Sequence, residues 1–176
     1  NTNWNAANSA YLSYGAVTAR ALNAQWQITA VSGIGLVSSC CGMSNTMPTT
    51  YDRFNLSAAA PKWDFTKYIP DVVTISLGQN DGSSVVASET FKNTYITFIN
   101  TIRSKYPDAS IFLLTSPMAD SSSSATCLFK VMKNTLTEIV DSVNTAGDTK
   151  VYWVTLPHDQ NHGCTGQGHP SEEEHA

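Results

Sequence analysis

The residues in this sequence that could act together on an ester are an asparagine, a glycine and a histidine that lie far apart. Asn80 follows an apolar run, residues 71–77, that is typical of a buried parallel strand, and Gly33 follows an earlier segment of alternating polarity. Because open α/β folds bind ligands at the carboxyl edge of the sheet, the Asn80 amide and the Gly33 N–H could stabilise a developing oxyanion there. His169 could serve as the general base. These residues indicate acyl transfer, which also requires a nucleophilic serine.

An α/β fold with a parallel sheet is predicted from the segments around these residues. Apolar residues recur at helical spacing in some segments and form strand-like runs in others, and the two kinds alternate along the chain. That order is typical of a parallel sheet covered by helices on both faces. Trp26 and Trp153 lie on predicted strands and are expected in the core. The predicted helices are residues 9–23, 88–106 and 128–143, with a short one near residue 51, and the predicted strands are residues 25–31, 71–77, 111–115 and 150–156.

The composition of the sequence indicates a single domain and argues against a nucleic-acid-binding or membrane-spanning protein. The 176 residues suffice for one domain, and a charged content of only 14% is common in secreted proteins. The formal net charge of -4 offers no basic surface, so we expect neither nucleic acid nor an anionic membrane as a partner. No apolar run approaches the roughly 20 residues of a membrane span.

The expected single domain, residues 1–176, is predicted to be truncated at both ends. A capping box at residues 171–174 ends two residues before the last residue, Ala176, so we expect the helix that it would begin to be cut short. The first predicted helix has no strand before it, although a doubly wound sheet normally begins with a strand at its centre.

Four cysteines, an even number, fit an oxidising compartment. Cys40 and Cys41 are adjacent, and a bond between neighbouring residues is strained. We therefore expect each of them to pair with Cys127 or Cys164, in an order that the sequence leaves open. Free buried thiols are the alternative.

Three short motifs together resemble a known family. Gly33, the Gly-x-Asn-Asp stretch at residues 78–81 and His169-Pro170 are similar to three of the four signature blocks of SGNH hydrolases. The similarity is closer to carbohydrate esterase family 2, the acetylxylan esterases, and it extends over nearly the whole chain. Further matching stretches are residues 14–20, 32–37, 51–53, 63–65 and 106–112.

The resemblance implies a secreted enzyme that removes acetyl groups from plant cell-wall polysaccharide, xylan or a related polymer, through a serine acyl-enzyme. It implies a three-layer α/β/α, flavodoxin-like domain, which in this family usually follows a β-sandwich domain. The expected partner is an acetylated polysaccharide or oligosaccharide, and no cofactor and no metal are expected.

The resemblance also assigns roles to residues. His169 would be the general base, and Gly33 and Asn80 would complete the oxyanion hole with the N–H of the nucleophile. The family's Gly-Asp-Ser block does not occur in this sequence, so the nucleophilic serine is expected outside it. Many SGNH enzymes carry Asp three residues before the histidine. Gly166 stands there, and its backbone carbonyl could orient the imidazole by accepting the Nδ1 proton.

Other residues have a predicted structural or substrate-binding role. Asp81 is interpreted as the residue of an Asx-type turn or a helix cap. Tyr51 and Phe54, in a less regular segment, could form a surface on which a sugar stacks, as could Trp4. Gln167, in the same tail as His169, is also a predicted substrate-binding residue.

Two alternatives remain open. One is a zinc site in the tail, where zinc-ligand residue types crowd together, although their spacing fits no standard zinc pattern and the tail lacks the glutamate of HExxH. These residues are His158, His162, Cys164, His169 and His175. The other alternative is a catalytically inactive carbohydrate-binding module derived from an esterase, which the missing Gly-Asp-Ser block favours.

Overall fold

A computed structural model describes residues 9–118 and 128–156. The chain forms two compact units, one of residues 1–30 and 157–176 and the other of residues 31–156. The first unit contains helix α1, and the other elements belong to the second. No helix in the described part of the chain is long and apolar enough to cross a membrane. In chain order the elements are α1 (Tyr14–Ala21), α2 (Met47–Thr50), a 3₁₀ turn (Phe65–Lys67), β1 (Val72–Ile75), α3 (Ser83–Val86), α4 (Glu89–Lys105), β2 (Ser110–Leu114), α5 (Leu128–Thr145) and β3 (Val151–Val154).

The described part of the first unit is residues 9–30, which include α1. In α1 the Arg20 guanidinium donates to the Tyr11 carbonyl oxygen at 2.6 Å and lies 3.9 Å from the centre of the Tyr11 ring. The predicted strand at residues 25–31 is wrong, because this segment has no regular secondary structure. The core position predicted for Trp26 is also wrong, since 39% of this side chain is exposed.

The second unit contains a parallel sheet with strand order β1-β2-β3. Val72 of β1 is in register with Ser110 of β2, and Ile111 of β2 is in register with Val151 of β3. Helix α4 connects β1 to β2, and α5 connects β2 to β3, as parallel pairing requires. The predicted α/β fold with helices against a parallel sheet is confirmed.

Helices α4 and α5 form the core with the sheet. Apolar residues three and four apart put one stripe of each helix toward the strands, as the periodicity predicts. Burying each of these large side chains contributes about 1.5–3 kcal/mol. Trp153 is half-buried and packs against this core, in line with its prediction. The fully buried large residues include Phe91, Tyr95 and Ile99 of α4, Met132, Leu136 and Ile139 of α5, and Ile111 and Leu113 of β2.

Arg103, in the last turn of α4, ties this helix to the segment that precedes β3. Its Nε and Nη2 donate to the two carboxylate oxygens of Asp148 at 2.7 and 3.0 Å. Its Nη1 also donates to the backbone carbonyls of Tyr106 and Pro107, at 3.2 and 3.1 Å. One half-buried guanidinium thus satisfies carbonyl groups beyond the helix end and fixes the start of β3.

Replacing Arg103 by Ala should lower the free energy of unfolding by about 2–3 kcal/mol, because the substitution leaves Asp148 and the carbonyls without their donor. Urea unfolding would measure the loss. The matched control is Lys105→Ala, which removes an exposed positive charge from the same helix turn and should cost less than about 1 kcal/mol. Equal losses in the two variants would show that charge at the helix end, not the Arg103 contacts, is what matters.

Candidate active site

The turn that carries Asn80 begins three residues after the end of β1. The Asp81 N–H donates to the Gly78 carbonyl oxygen at 3.2 Å, which closes a turn over residues 78–81. Gly78 has φ +120°, and a Cβ there would lie 3.3 Å from both Phe91 and Met132. A glycine at this position therefore lets the turn sit directly on the core, so the site has a rigid base.

The segment that carries Gly33 is a second loop of the same unit. Gly33 has φ +79°, and its carbonyl oxygen accepts a hydrogen bond from the Cys40 N–H at 2.8 Å. A Cβ on Gly33 would lie 2.6 Å from the Cys40 sulfur. Both the backbone conformation and the packing thus favour glycine at position 33.

One hydrogen bond joins the two loops. The Asn80 Nδ2 donates to the carbonyl oxygen of Ile34 at 2.9 Å, so the side-chain amide of Asn80 lies beside the residue that follows Gly33. Asn80 is exposed, and an amide nitrogen carries a second N–H. The structure therefore brings together the two residues that were predicted to donate to an oxyanion. Their catalytic role stays a prediction.

The backbone N–H groups of residues 33–38 distinguish Gly33 from its neighbours. The N–H of Ile34 donates to Val31 and that of Gly35 to the Ser39 hydroxyl, and the next three donate to Asp81. Within residues 9–118 and 128–156, only the Gly33 N–H of this segment has no acceptor. Because every other backbone N–H of residues 33–38 has an acceptor, the free N–H of Gly33 is the one that is available to an oxyanion.

The carboxylate of Asp81 accepts hydrogen bonds from the loop that carries Gly33, which its predicted role as a turn or cap residue did not include. Its Oδ2 accepts from the Leu36 N–H at 2.9 Å, and its Oδ1 accepts from the Val37 and Ser38 N–H groups at 2.7 and 2.8 Å. The side chain is thus neither an Asx turn nor the cap of α3, whose N-cap is Gly82 without a side-chain bond. The Asp81 carboxylate accepts from residues that lie 43 to 45 positions earlier in the chain, and no local sequence pattern indicates such contacts.

The disulfide in the described residues joins Cys40 to Cys41, so the predicted pairing of each with Cys127 or Cys164 is wrong for this structure. Cys41 has φ +63°, in the left-handed region that residues other than glycine seldom adopt. The two Cα atoms are 3.8 Å apart. Cys127 and Cys164 lie outside the described residues.

The predicted sugar-stacking residues lie in different surroundings. The Tyr51 ring packs 5.7 Å from the Phe65 ring and 5.1 Å from the Phe98 ring, and burial, followed by the charge of Asp52, raises the pKa of Tyr51. This packing favours a core role for Tyr51. Phe54 is 64% exposed and so remains the better candidate for stacking.

The tail residues with predicted roles lie outside the described residues. These residues are His169, Gly166 and Gln167, the zinc-ligand types of the alternative site, and Trp4 at the other end. Within residues 9–118 and 128–156, no three His, Cys, Asp or Glu side chains cluster in a way that could hold a metal ion.

Comparison with known proteins defines the class. The model of the GDSL-like lipase/acylhydrolase family matches residues 2–176, and the chain belongs to this family. A family two carbohydrate esterase from Clostridium thermocellum, solved in complex with cellohexaose, superposes with a TM-score of 0.79 at 34% identity over 95% of this chain. Within the GDSL/SGNH hydrolases the chain is therefore a domain of carbohydrate esterase family 2.

Two curated relatives give the same placement. Cellulase/esterase CelE of Acetivibrio thermocellus is 41% identical over 93% of this chain, and the match covers 20% of CelE. The acetylxylan esterase / glucomannan deacetylase of Cellvibrio japonicus is 29% identical over 98% of this chain and is matched over 46% of its own length. The chain thus spans half or less of these relatives and half of the solved esterase.

Proposed function

We propose that this chain is the catalytic domain of a secreted carbohydrate esterase, which removes O-acetyl groups from xylan or a related plant cell-wall polysaccharide. The observation that carries the proposal is the bond between the Asn80 amide and Ile34, beside the unbonded N–H of Gly33. An amide donor that contacts the residue next to a free backbone N–H suits the oxyanion of an ester under attack. The family supports the reaction class.

The proposed mechanism is acyl transfer through serine. His169 takes the proton of the serine hydroxyl as its oxygen attacks the acetyl carbonyl, while the Gly166 carbonyl keeps the imidazole in the required tautomer. The Gly33 N–H and the Asn80 amide stabilise the oxyanion of the tetrahedral intermediate. The sugar oxygen then leaves with the proton from His169. Water, activated by the same imidazole, hydrolyses the acetyl-enzyme and releases acetate.

A polysaccharide substrate is supported by what the relatives' names state. One is called an acetylxylan esterase and glucomannan deacetylase, one a cellulase/esterase, and the solved esterase was crystallised with cellohexaose. The exposed ring of Phe54, which contacts the Trp63 ring edge-on with centres 5.8 Å apart, is suited to stacking on a sugar face. The net charge of -4 suits a neutral polymer better than an acidic one.

The full polypeptide that contains this chain should release acetate from acetylated xylan or glucomannan and hydrolyse 4-nitrophenyl acetate. A burst of nitrophenol and a serine acetylated on brief mixing would identify the acyl-enzyme. Xylan or glucan binding without any turnover would instead identify the inactive carbohydrate-binding module. Turnover that is abolished by a chelator and restored by zinc would favour the metal site in the tail.

A further inference from the structure

We propose that Asp81 is a positioning residue for the oxyanion donors, because its carboxylate holds residues 36–38 and so aligns the Gly33 N–H with the Asn80 amide. This inference rests on the proposed esterase function and adds a residue to which the reaction gives no direct role. Asn80 and Asp81 are consecutive, so the turn of residues 78–81 binds the loop of residues 33–38 at two points, through the Asn80 amide and through the Asp81 carboxylate.

The carboxylate of Asp81 is built into the loop rather than resting on its surface. The residue is 7% exposed, and its charge meets three backbone N–H groups and no cation among the described ion pairs. Successive N–H groups that converge on one anion form a concave backbone site, a nest. The loop conformation and the carboxylate therefore depend on each other.

Gly35 shows how closely the two fit. A Cβ at this position would lie 2.8 Å from Asp81 Oδ2 and would collide with the carbonyl oxygen of Ser38. The Gly35 carbonyl oxygen accepts from the Met47 N–H at 2.9 Å, while the next N–H along the chain, that of Leu36, donates to Asp81. The peptide between Gly35 and Leu36 is thus held at both of its polar ends.

The carbonyl groups of the loop complete the alignment. Gly33 accepts from the Cys40 N–H and Ile34 from the Asn80 amide, so the chain just before Gly35 is held on its carbonyl side. Loss of the bonds to Asp81 would release the chain just after Gly35. A displacement of about 1 Å at a reacting centre can cost about 10²-fold in rate, so a small shift of the Gly33 N–H would be measurable.

The test is Asp81→Asn, in which an NH₂ group replaces one acceptor oxygen and faces backbone N–H groups. In the full polypeptide, at a temperature where the variant is folded, kcat on 4-nitrophenyl acetate should fall by about 10²-fold, with little change in KM. The matched control is Asp148→Asn, since Asp148 also accepts three N–H bonds, two from Arg103 and one from Lys150. This control should lower Tm and leave kcat unchanged.

A double-mutant cycle separates positioning from general stability. If Asp81 aligns the donors, Asp81→Asn combined with Asn80→Ala should lower kcat by less than the product of the two single losses, because one of the aligned donors is already absent. The proposal would be overturned if the loss of kcat in the double variant equalled the product of the two single losses. It would also be overturned if Asp81→Asn lowered Tm but kept the wild-type kcat. Failure of both Asp81→Asn and Asp81→Ser to fold would also overturn it, since Asp81 would then serve the fold alone.

Amide hydrogen exchange distinguishes failure of this inference from failure of the proposed function. The N–H groups of Leu36, Val37 and Ser38 should exchange faster in Asp81→Asn and at the wild-type rate in Asp148→Asn. Unchanged exchange in Asp81→Asn would contradict the inference whatever the activity. An inactive wild-type protein would contradict the esterase, and faster exchange in Asp81→Asn would still show that the carboxylate holds the loop.

Discussion

Replacing Asn80 by Ala should lower kcat for acetyl ester hydrolysis by about 10²–10³-fold and leave KM nearly unchanged. The reason is that the oxyanion exists only in the transition state and the intermediate, so a donor aimed at it contributes little to substrate binding. The bond from Asn80 to Ile34, at 2.9 Å, holds the amide where its second N–H can reach an atom beside Gly33. Steady-state kinetics on 4-nitrophenyl acetate would measure the loss.

Asn45→Ala is the matched control for this variant. The Asn45 Nδ2 also donates to a backbone carbonyl, that of Leu56, at 3.1 Å, but it is not one of the two predicted donors. We expect kcat in Asn45→Ala to stay within about threefold of wild type, because this side chain has no place in the proposed oxyanion site and its loss should act on stability alone. An effect of Asn80→Ala that is confined to KM, or an equal loss of kcat in the two variants, would contradict the oxyanion role.

Much of the fold could be predicted from the sequence because its signals are local. The apolar stripe of α4 and the serine that caps it are read directly from spacing, and the structure has Ser88 accepting from the Phe91 N–H at 3.1 Å. The end of α5 follows from Gly147, which has φ +112°. Strands β1, β2 and β3 lie inside apolar runs that are bounded by polar residues. Local pattern is enough wherever an element is both long and buried.

Contacts between distant residues could not be predicted in the same way. The three bonds that Asp81 accepts depend on how two loops meet, and the only sequence signal was an aspartate directly after Asn80. The alternation in residues 25–31 matched a strand, yet a strand forms only where a neighbour supplies hydrogen bonds. The Cys40–Cys41 bond occurs beside a left-handed backbone conformation at Cys41, which the sequence does not indicate.

The two predicted oxyanion donors, Gly33 and Asn80, could be predicted only in part from the sequence. We predicted that Gly33 and Asn80 would meet because parallel strands end at one edge of a sheet, but residues 25–31 form no strand. The two loops are instead joined by the bond from the Asn80 amide to Ile34, the residue after Gly33. The rule does not say which N–H remains free. That answer required the bonding partners of residues 34–38, each of which uses its own N–H.

Replacing His169 by Ala should lower kcat by about 10²–10⁴-fold, the range that a positioned general base contributes. The same imidazole is proposed to serve both acylation and deacylation, so no acetyl-enzyme should accumulate in this variant, and mass spectrometry of the protein after brief mixing with substrate would check this. Detection of a stable acetyl-enzyme would instead place His169 in deacylation alone.

His162→Ala makes the result for His169 specific, because His162 is another histidine of the same tail and would be a ligand in the zinc alternative. For a serine esterase, His162→Ala should keep wild-type kcat and a chelator should have no effect, since the base needs no metal. For a zinc site, loss of either histidine should lower both zinc content and activity, because catalytic zinc is held by three protein ligands and each one matters. Equal losses in the two variants together with zinc at one equivalent would therefore replace the serine mechanism, whereas loss in His169→Ala alone identifies the imidazole as the base.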